Sequence, residues 1–305
     1  MLGEVLNLRV QKMASGGEGL AFLEGQVVFL PYSIPGELCA CRVTERAHGY
    51  LRAEILEILE PSPYRVIPPC PIFGRCGGCS LQHIAYEAQS AFKADAAREA
   101  FSRIAGFDPG PARMETGSAF GYRNRVQIHP CRDGGLGFME AKSAQALRAR
   151  GCPVAVAAID AWLRAQNRKS KPWKELSARI GEKDRFVVFA QGDTLSVEGE
   201  TAFGSAWIGD LEYIFPLGHF FQSNLAMTER LLDEAVSKEE GELALDLYSG
   251  AGLFAARLAR AFRSIVLVES DSVSIEAARK NVSGKNARFN ARNVESWITG
   301  NSSRP

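Results

Sequence analysis

The sequence predicts an α/β plus β chain in three parts. These are a small OB-like β-barrel over residues 1–60, a central α+β domain over 61–220, and an incomplete, doubly wound C-terminal sheet over 221–305. Three observations carry this. Residues 1–60 hold short runs of β-branched and aromatic residues cut by glycine and proline. The stretch CPIFGRCGGCSLQH, Cys70 to His83, places three cysteines within ten residues. From about residue 225 helix and strand patterns alternate, with the glycine-rich DLYSGAG between them.

Composition sets the broad class. The chain has 305 residues, 46% hydrophobic and 23% charged, ordinary for a globular protein of two or three domains. No apolar run reaches the roughly 18 residues that cross a bilayer, and MLGEVLNLRV lacks the basic start and apolar stretch of a signal peptide. A cytoplasmic protein with no membrane partner is therefore expected. Thiols stay reduced there, so clustered cysteines point to metal rather than disulfides. The net charge of +1 hides an asymmetry. Residues 1–60 carry five Lys/Arg against eight Asp/Glu, and residues 61–180 carry eighteen against nine. A basic middle third fits a polyanion such as RNA, and fits a solvated basic surface equally well.

Each element follows from local pattern. In the first part, VLNLRVQKM, GLAFLEGQVVFLPY and ELCACRVTERAHGYLRAEILEILE read as strands, with GGEG and LPYSIPGE as turns and Pro61-Ser62-Pro63 as the boundary. Cys39 and Cys41 are read as pointing to opposite faces of their strand, unable to share one metal. Residues 84–106 have helical spacing and stop at Gly106. Residues 121–155 are β-rich, AAIDAWLRAQNRK is helical, and RKSKPWKE (168–175) reads as a basic loop. Arg123 and Arg125 flank Asn124 on a strand, poised for RNA phosphate or for solvent. RFVVFAQG, TLSVEG and AWIGDLEYIFP return to strand. Then come helix AMTERLLDEAVSK, strand LALDLYSGAG, helix LFAARLARAF, strand SIVLVES, helix DSVSIEAARKNVSGK, strand ARFNARN, and WITGNSSRP as a low-complexity ending.

The glycine turn suggests a cofactor. Gly250-x-Gly252-x-x-Ala255 fits a loose dinucleotide fingerprint. Asp246 ends the preceding strand, and Glu269 ends the next one, where an acid can hold ribose hydroxyls. An acid at Asp246 suits the cationic end of S-adenosylmethionine (SAM) better than a pyrophosphate. SAM is the favoured reading, with NAD or a ligand-free packing turn as alternatives.

The cysteines suggest a metal. Cys70-x5-Cys76-x2-Cys79 lacks the second close pair that zinc favours, and the four histidines are scattered. Cys152 precedes Pro153, a pairing found where a cysteine completes an iron–sulfur site. Cys70, Cys76, Cys79 and Cys152 are thus read as ligands of a 4Fe–4S cluster that clamps the domain, against zinc or unliganded thiols.

The order of CPIFGRCGGCSLQHIAYEAQ, GYRNRVQIH, GCPV, HFFQSN and DLYSGAGLF resembles the bacterial SAM-dependent RNA uracil-5-methyltransferases, which act on 23S rRNA or tRNA. The resemblance implies an N-terminal TRAM barrel that helps hold RNA, a central domain with a 4Fe–4S cluster on the same four cysteines, and a Rossmann-like SAM domain. By motif it places Gln222, Tyr248, Glu269 and Asn293 at SAM. Leu253 stands where that family often has asparagine. Alternatively, Gln222 caps a helix near Asn224 and Tyr248 is core packing.

The resemblance also implies a catalytic cysteine that adds to uracil C6, so that C5 attacks the SAM methyl, and a carboxylate base that removes the C5 proton. In the family both lie beyond the third strand of the SAM domain. Five of the seven cysteines lie before residue 80, and none follows the glycine turn. The chain is therefore expected to be a truncated, monomeric piece of such a methyltransferase, inactive alone, with SAM binding weak or absent. It would carry an apolar unpaired sheet edge. The alternative is a non-catalytic RNA-binding iron–sulfur protein.

Overall fold

The computed structural model describes residues 2–236, 238–282, 284 and 286–301. The last four residues of the WITGNSSRP ending lie outside them. The chain forms two compact units, Met1–Thr116 with Met139–Leu147, and Gly117–Phe138 with Arg148–Pro305. Among the described residues no helix is long and apolar enough to cross a membrane.

In the first unit, alternating apolar residues build six strands: β1 Val5–Arg9, β2 Lys12–Met13, β3 Gly19–Leu23, β4 Gln26–Leu30, β5 Leu38–Ala47 and β6 Tyr50–Glu60. They form one sheet in the order β1-β5-β6-β4-β3-β2, antiparallel except between β4 and β6. The β3–β4 hairpin closes on Glu24-Gly25, both with positive φ, the conformation whose twist matches paired strands. Leu8, Ala21, Val28, Leu30, Val43 and Leu51 share one apolar cluster with Cys39 and Cys41. The two-faced reading of Cys39 and Cys41 is thus corrected. Residues two apart on a strand share a face, and both thiols are fully buried in that cluster. Helix α1, Tyr86–Ala105, ends where expected, with Gly106 in the left-handed region.

Glu37 ties the sheet to the segment after it. Its buried carboxylate accepts Arg65 Nε at 2.6 Å and Nη2 at 2.7 Å, plus the N–H groups of Ile34 and Ser62. Burial pushes its carboxyl up, but Arg65 and the two amides outweigh burial and hold it below the ordinary glutamate value.

A five-stranded sheet, β11-β10-β7-β8-β9, is built from β7 Arg125–Pro130, β8 Leu136–Met139, β9 Ala146–Arg148, β10 Phe186–Gln191 and β11 Thr194–Val197. Helix α2, Ala157–Asn167, lies against β10. Of the basic loop expected at 168–175, residues 168–171 form a turn, and 172–175 instead begin helix α3, Pro172–Ile180. Proline suits the first helical turn, and Leu176 and Ile180 recur at helical spacing on a buried face. Trp173 stacks on Phe186 with ring centroids 6.0 Å apart. Strands β12 Phe203–Ile208 and β13 Leu211–Pro216 form a hairpin.

Helix α4 (Leu225–Val236), β14 (Gly241–Leu247), α5 (Leu253–Leu258), β15 (Phe262–Glu269), α6 (Ser272–Asn281) and β16 (Ala287–Ala291) give the expected alternation, with parallel order β14-β15-β16. Helix α5 is shorter than LFAARLARAF suggests, because Phe262 already pairs with Gly241 as the first residue of β15. Strand β15 runs buried from Ile265 to Val268, as a parallel strand covered on both faces should. On β14, Ala244 and Asp246 are buried while Leu243 and Leu245 are about half exposed. The ending read as low complexity is helix α7, Val294–Asn301, up to the last described residue.

Glu37→Gln should cost ~3 kcal/mol of stability in urea unfolding of the whole chain at pH 7. The folded carboxyl titrates below its unfolded value, so its contribution is present above the ordinary glutamate range and is lost as pH falls through the folded value. The gap between variant and wild type should therefore narrow on acidification.

Candidate cofactor site

The site is built at the carboxyl ends of the parallel strands. In the ladder Leu247 pairs with Val268 and Glu269 with Ala291, so Tyr248, Glu269 and the segment leading to Asn293 leave the sheet at one edge. Open α/β sheets bind ligands at this edge.

The turn after β14 needs its glycines. Tyr248, Gly250 and Gly252 have φ of 59°, 52° and 78°. A Cβ on Gly252 would lie 3.1 Å from both Ala278 and Val282 of the α6 region, so close packing adds a second reason there. Around Gly250 a Cβ would meet nothing within 4 Å. Asn281 locks the turn from α6, donating from Nδ2 to the carbonyls of Ala251 and Ile214 at 2.8 Å each. The Ser249 hydroxyl is buried without a hydrogen-bond partner among the described residues.

Two carboxylates flank the turn. Glu269 Oε2 accepts the Gly250 N–H at 3.0 Å, and Oε1 accepts the Asp271 N–H at 2.8 Å. Asp246 is buried and accepts the Ala255 N–H at 3.0 Å. Burial pushes its carboxyl up to about 6, the Glu269 charge adds to this, and the Ala255 N–H opposes it. A buried acid with so little compensation is suited to a cationic ligand.

The other expected contacts fall as follows. Tyr248 is 66% exposed, so it is not core packing, and its hydroxyl donates to Glu295 at 2.5 Å. Asn293 Oδ1 accepts the Ser296 N–H at 3.3 Å and so helps start α7. Gln222 follows Phe221, which is buried and stacks on Phe215 with centroids 3.9 Å apart. That anchor fixes where Gln222 begins. Gln222 is not the cap of α4, because Asn224 Oδ1 accepts the Met227 N–H. Leu253, in the family's asparagine position, is buried in the core cluster.

The 217–224 loop that carries Gln222 is held from three sides. Arg125 donates from Nη2 to the carbonyls of Leu217 and His219 at 3.2 and 2.8 Å. The Nε atoms of Arg123 and Arg125 are both buried. Arg125 therefore points into the fold, which corrects its reading as an RNA or solvent contact. Buried Asn124 accepts the Leu225 N–H, donates to Ala190 O, and gives its own N–H to Ser223 O. His219 Nδ1 meets Asp271 Oδ2 at 2.5 Å. Asp271 is also the N-cap of α6, accepting from Val273 N and Ser274 Oγ. Burial raises its carboxyl, and these partners with His219 lower it further than burial lifts it. Sequence reading missed His219 and Asp271. The DS start of an apolar-periodic run signals a cap, but nothing local signals its histidine partner.

All seven cysteines are thiols rather than disulfides. Cys70, Cys76 and Cys79 lie on one turn-rich loop of the first unit, where the Gly78 N–H points to Cys76 Sγ at 3.4 Å. Cys152 lies in the second unit, its N–H donating to Asp160 at 2.6 Å. Among the described residues no three His, Cys, Asp or Glu side chains are grouped to hold a metal ion.

Residues 1–56 match the TRAM domain, and residues 191–295 match the tRNA (Uracil-5-)-methyltransferase family. An "Uncharacterized RNA methyltransferase" of Treponema denticola is 31% identical over 292 residues, covering 90% of this chain and 70% of that protein. The chain belongs to the RNA uracil-5-methyltransferase family. The 23S rRNA (uracil(1939)-C(5))-methyltransferase RlmD of Shewanella amazonensis is 27% identical, covering 92% of this chain and 73% of that one. The Pyrococcus abyssi tRNA (uracil-54, C5)-methyltransferase, solved in complex with S-adenosyl-L-homocysteine, has the same fold. It has a TM-score of 0.69 and 22% identity over 93% of this chain and 78% of that one. Membership makes this uracil-5-methyltransferase relative a SAM-dependent protein with an RNA substrate.

Two measurements test the geometry of this methyltransferase site. Asp246 binds its proton more tightly folded, with a value of about 6, than unfolded. Its contribution to stability is full below pH ~4 and is lost as pH rises through ~6. Asp246→Asn should flatten the stability profile between those limits by ~2–3 kcal/mol. Asn124→Ala, which orphans the buried Leu225 N–H and Ala190 C=O, should cost ~2–4 kcal/mol in chemical denaturation.

Proposed function

We propose that the chain takes part in SAM-dependent methylation of uridine C5 in structured RNA, 23S rRNA or tRNA, with the glycine turn of the second unit as its SAM site. The observation that supports this most is Glu269 meeting Gly250 at the strand ends beside the orphaned Ser249 hydroxyl. SAM supplies the methyl group when bound. Glu269 then takes the ribose hydroxyls, and Asp246 balances the cationic end of the ligand. Gln222, Tyr248 and Asn293 complete the pocket wall. The first unit's sheet curls as a small OB-like TRAM barrel and holds RNA, with residues 61–220 adding RNA contacts and 221–305 the cofactor.

We propose a 4Fe–4S cluster on Cys70, Cys76, Cys79 and Cys152, the ligand set that the resemblance implies. Its role here is a clamp, in a reduced, cytoplasmic, monomeric protein. Purified anaerobically, the chain should hold iron and acid-labile sulfide in equal amounts, and Cys76→Ser should lose both. Zinc in their place would sink this assignment.

The nucleophile is a separate matter. Cys39 and Cys41 are sealed in a core, and burial pushes the Cys131 thiol up to about 11, too weakly acidic for an activated nucleophile. The remaining four are the proposed cluster ligands. We therefore propose that the chain alone binds RNA and, at most weakly, SAM, but does not form the C6 adduct. This keeps a second reading open: a non-catalytic RNA-binding iron–sulfur protein.

S-adenosylhomocysteine titration by calorimetry should show binding, and Glu269→Ala should weaken it at least tenfold. No binding by wild type would remove the cofactor site. Labelled-methyl transfer to an RNA transcript should be absent, and its presence would overturn the claim about the nucleophile.

A further inference from the structure

A cavity of about 370 Å³ in the second unit is lined by Arg150, Arg164, Asn167 and Arg168. Three solvent-exposed guanidinium groups line one hollow, and Asp160 balances only that of Arg164, which leaves a net positive site. The fold fixes Arg164 and the backbone from which the other two extend. Arg164 is held by Asp160 at 2.7 Å, and the other oxygen of Asp160 accepts the Cys152 N–H. At Gly151 a Cβ would lie 2.6 Å from Asp160 Oδ1 and 2.7 Å from Arg164 Cζ, so a larger residue there would displace this pair. Asn167 is fully committed to the floor. Its Nδ2 donates to Leu136 O and Ala149 O, and its Oδ1 accepts the Leu136 N–H. That anchors Ala149, beside which Arg150 begins.

Neighbouring cations are neutralised. Arg148 pairs with Asp133, and Lys169 with Glu175. Arg150 and Arg168, in contrast, make no ion pair among the described residues. Arg168 follows the last residue of α2, where a cation favours the helix dipole without any ligand. Arg150 is on no helix and has no such reason to be there. A guanidinium fork matches the paired oxygens of phosphate.

We propose that the Arg150–Arg164–Arg168 cavity is a binding site for a backbone phosphodiester of the RNA substrate. This rests on the RNA reading above. The excess of eighteen basic over nine acidic residues in 61–180 supplies the long-range attraction toward a polyanion.

The test is binding of a structured RNA transcript to the purified full chain across a KCl series, for wild type, R150Q/R168Q and R150K/R168K. The glutamine pair should weaken binding roughly 10- to 100-fold at 0.1 M salt, the loss expected for charge-assisted hydrogen bonds, and lower the salt slope by about 1. The lysine pair should keep the slope and still lose affinity, because it keeps charge but loses the fork. Melting temperature and S-adenosylhomocysteine affinity should stay unchanged in both. Wild-type affinity and slope in the glutamine pair overturn the proposal. So does loss of inorganic-phosphate binding in that pair with RNA binding intact, which would make the cavity a free-phosphate site. If wild type binds no RNA at all, the RNA reading itself fails, and the cavity proposal fails with it.

Discussion

One carboxamide, that of Asn124, holds the second unit's two halves in register. It sits on the strand segment beside β10, receives the first N–H of α4 and donates to Ala190 O, while the residue's own backbone N–H donates to Ser223 O. An asparagine suits the position because it offers donor and acceptor together, so two backbone groups of opposite kind are satisfied at once. The loop bearing Gln222 ends where Asn124 grips it. Phe221 fixes the same loop from the apolar side, and His219 with Asp271 fixes its outer end. The glycine turn is held in parallel by Asn281. The cofactor edge is therefore set by side chains bonded to backbone, Asn124, Arg125 and Asn281, together with the His219–Asp271 contact.

Buried charge is treated in two ways. Glu37 is surrounded by donors, one of them cationic, and is stabilised as an anion. Asp246 has one backbone donor and a like-charged neighbour, and is left short of compensation. The first is architecture: it closes the segment after the six-stranded sheet onto that sheet. The second is a stored electrostatic deficit at the strand edge where a cation can relieve it.

The parallel part of the fold was legible because its signals are local. DLYSGAG, IVLVES and the helix between them carry period, turn and strand-end acids within a few residues. Helix α3 was not, because RKSKPWKE looks like a charged loop until Trp173, Leu176 and Ile180 are counted on one face. Helix α7 hid behind a polar tail. Arg125 was misread because strand alternation says which face a side chain leaves from, and not that carbonyls 92 and 94 residues away wait there. The His219–Asp271 contact spans 52 residues and was invisible for the same reason. Cys39 and Cys41 needed only the two-residue repeat of a strand applied correctly.

Tyr248 stands in a left-handed backbone conformation with two-thirds of its surface in solvent. Its ring is too exposed to contribute much packing, and a non-glycine residue there costs roughly 1–3 kcal/mol of strain. A selection for heat resistance alone would replace it with glycine or asparagine, and the fold would gain. A thermally hardened version of this chain should be screened for cofactor affinity before its robustness is counted as improvement.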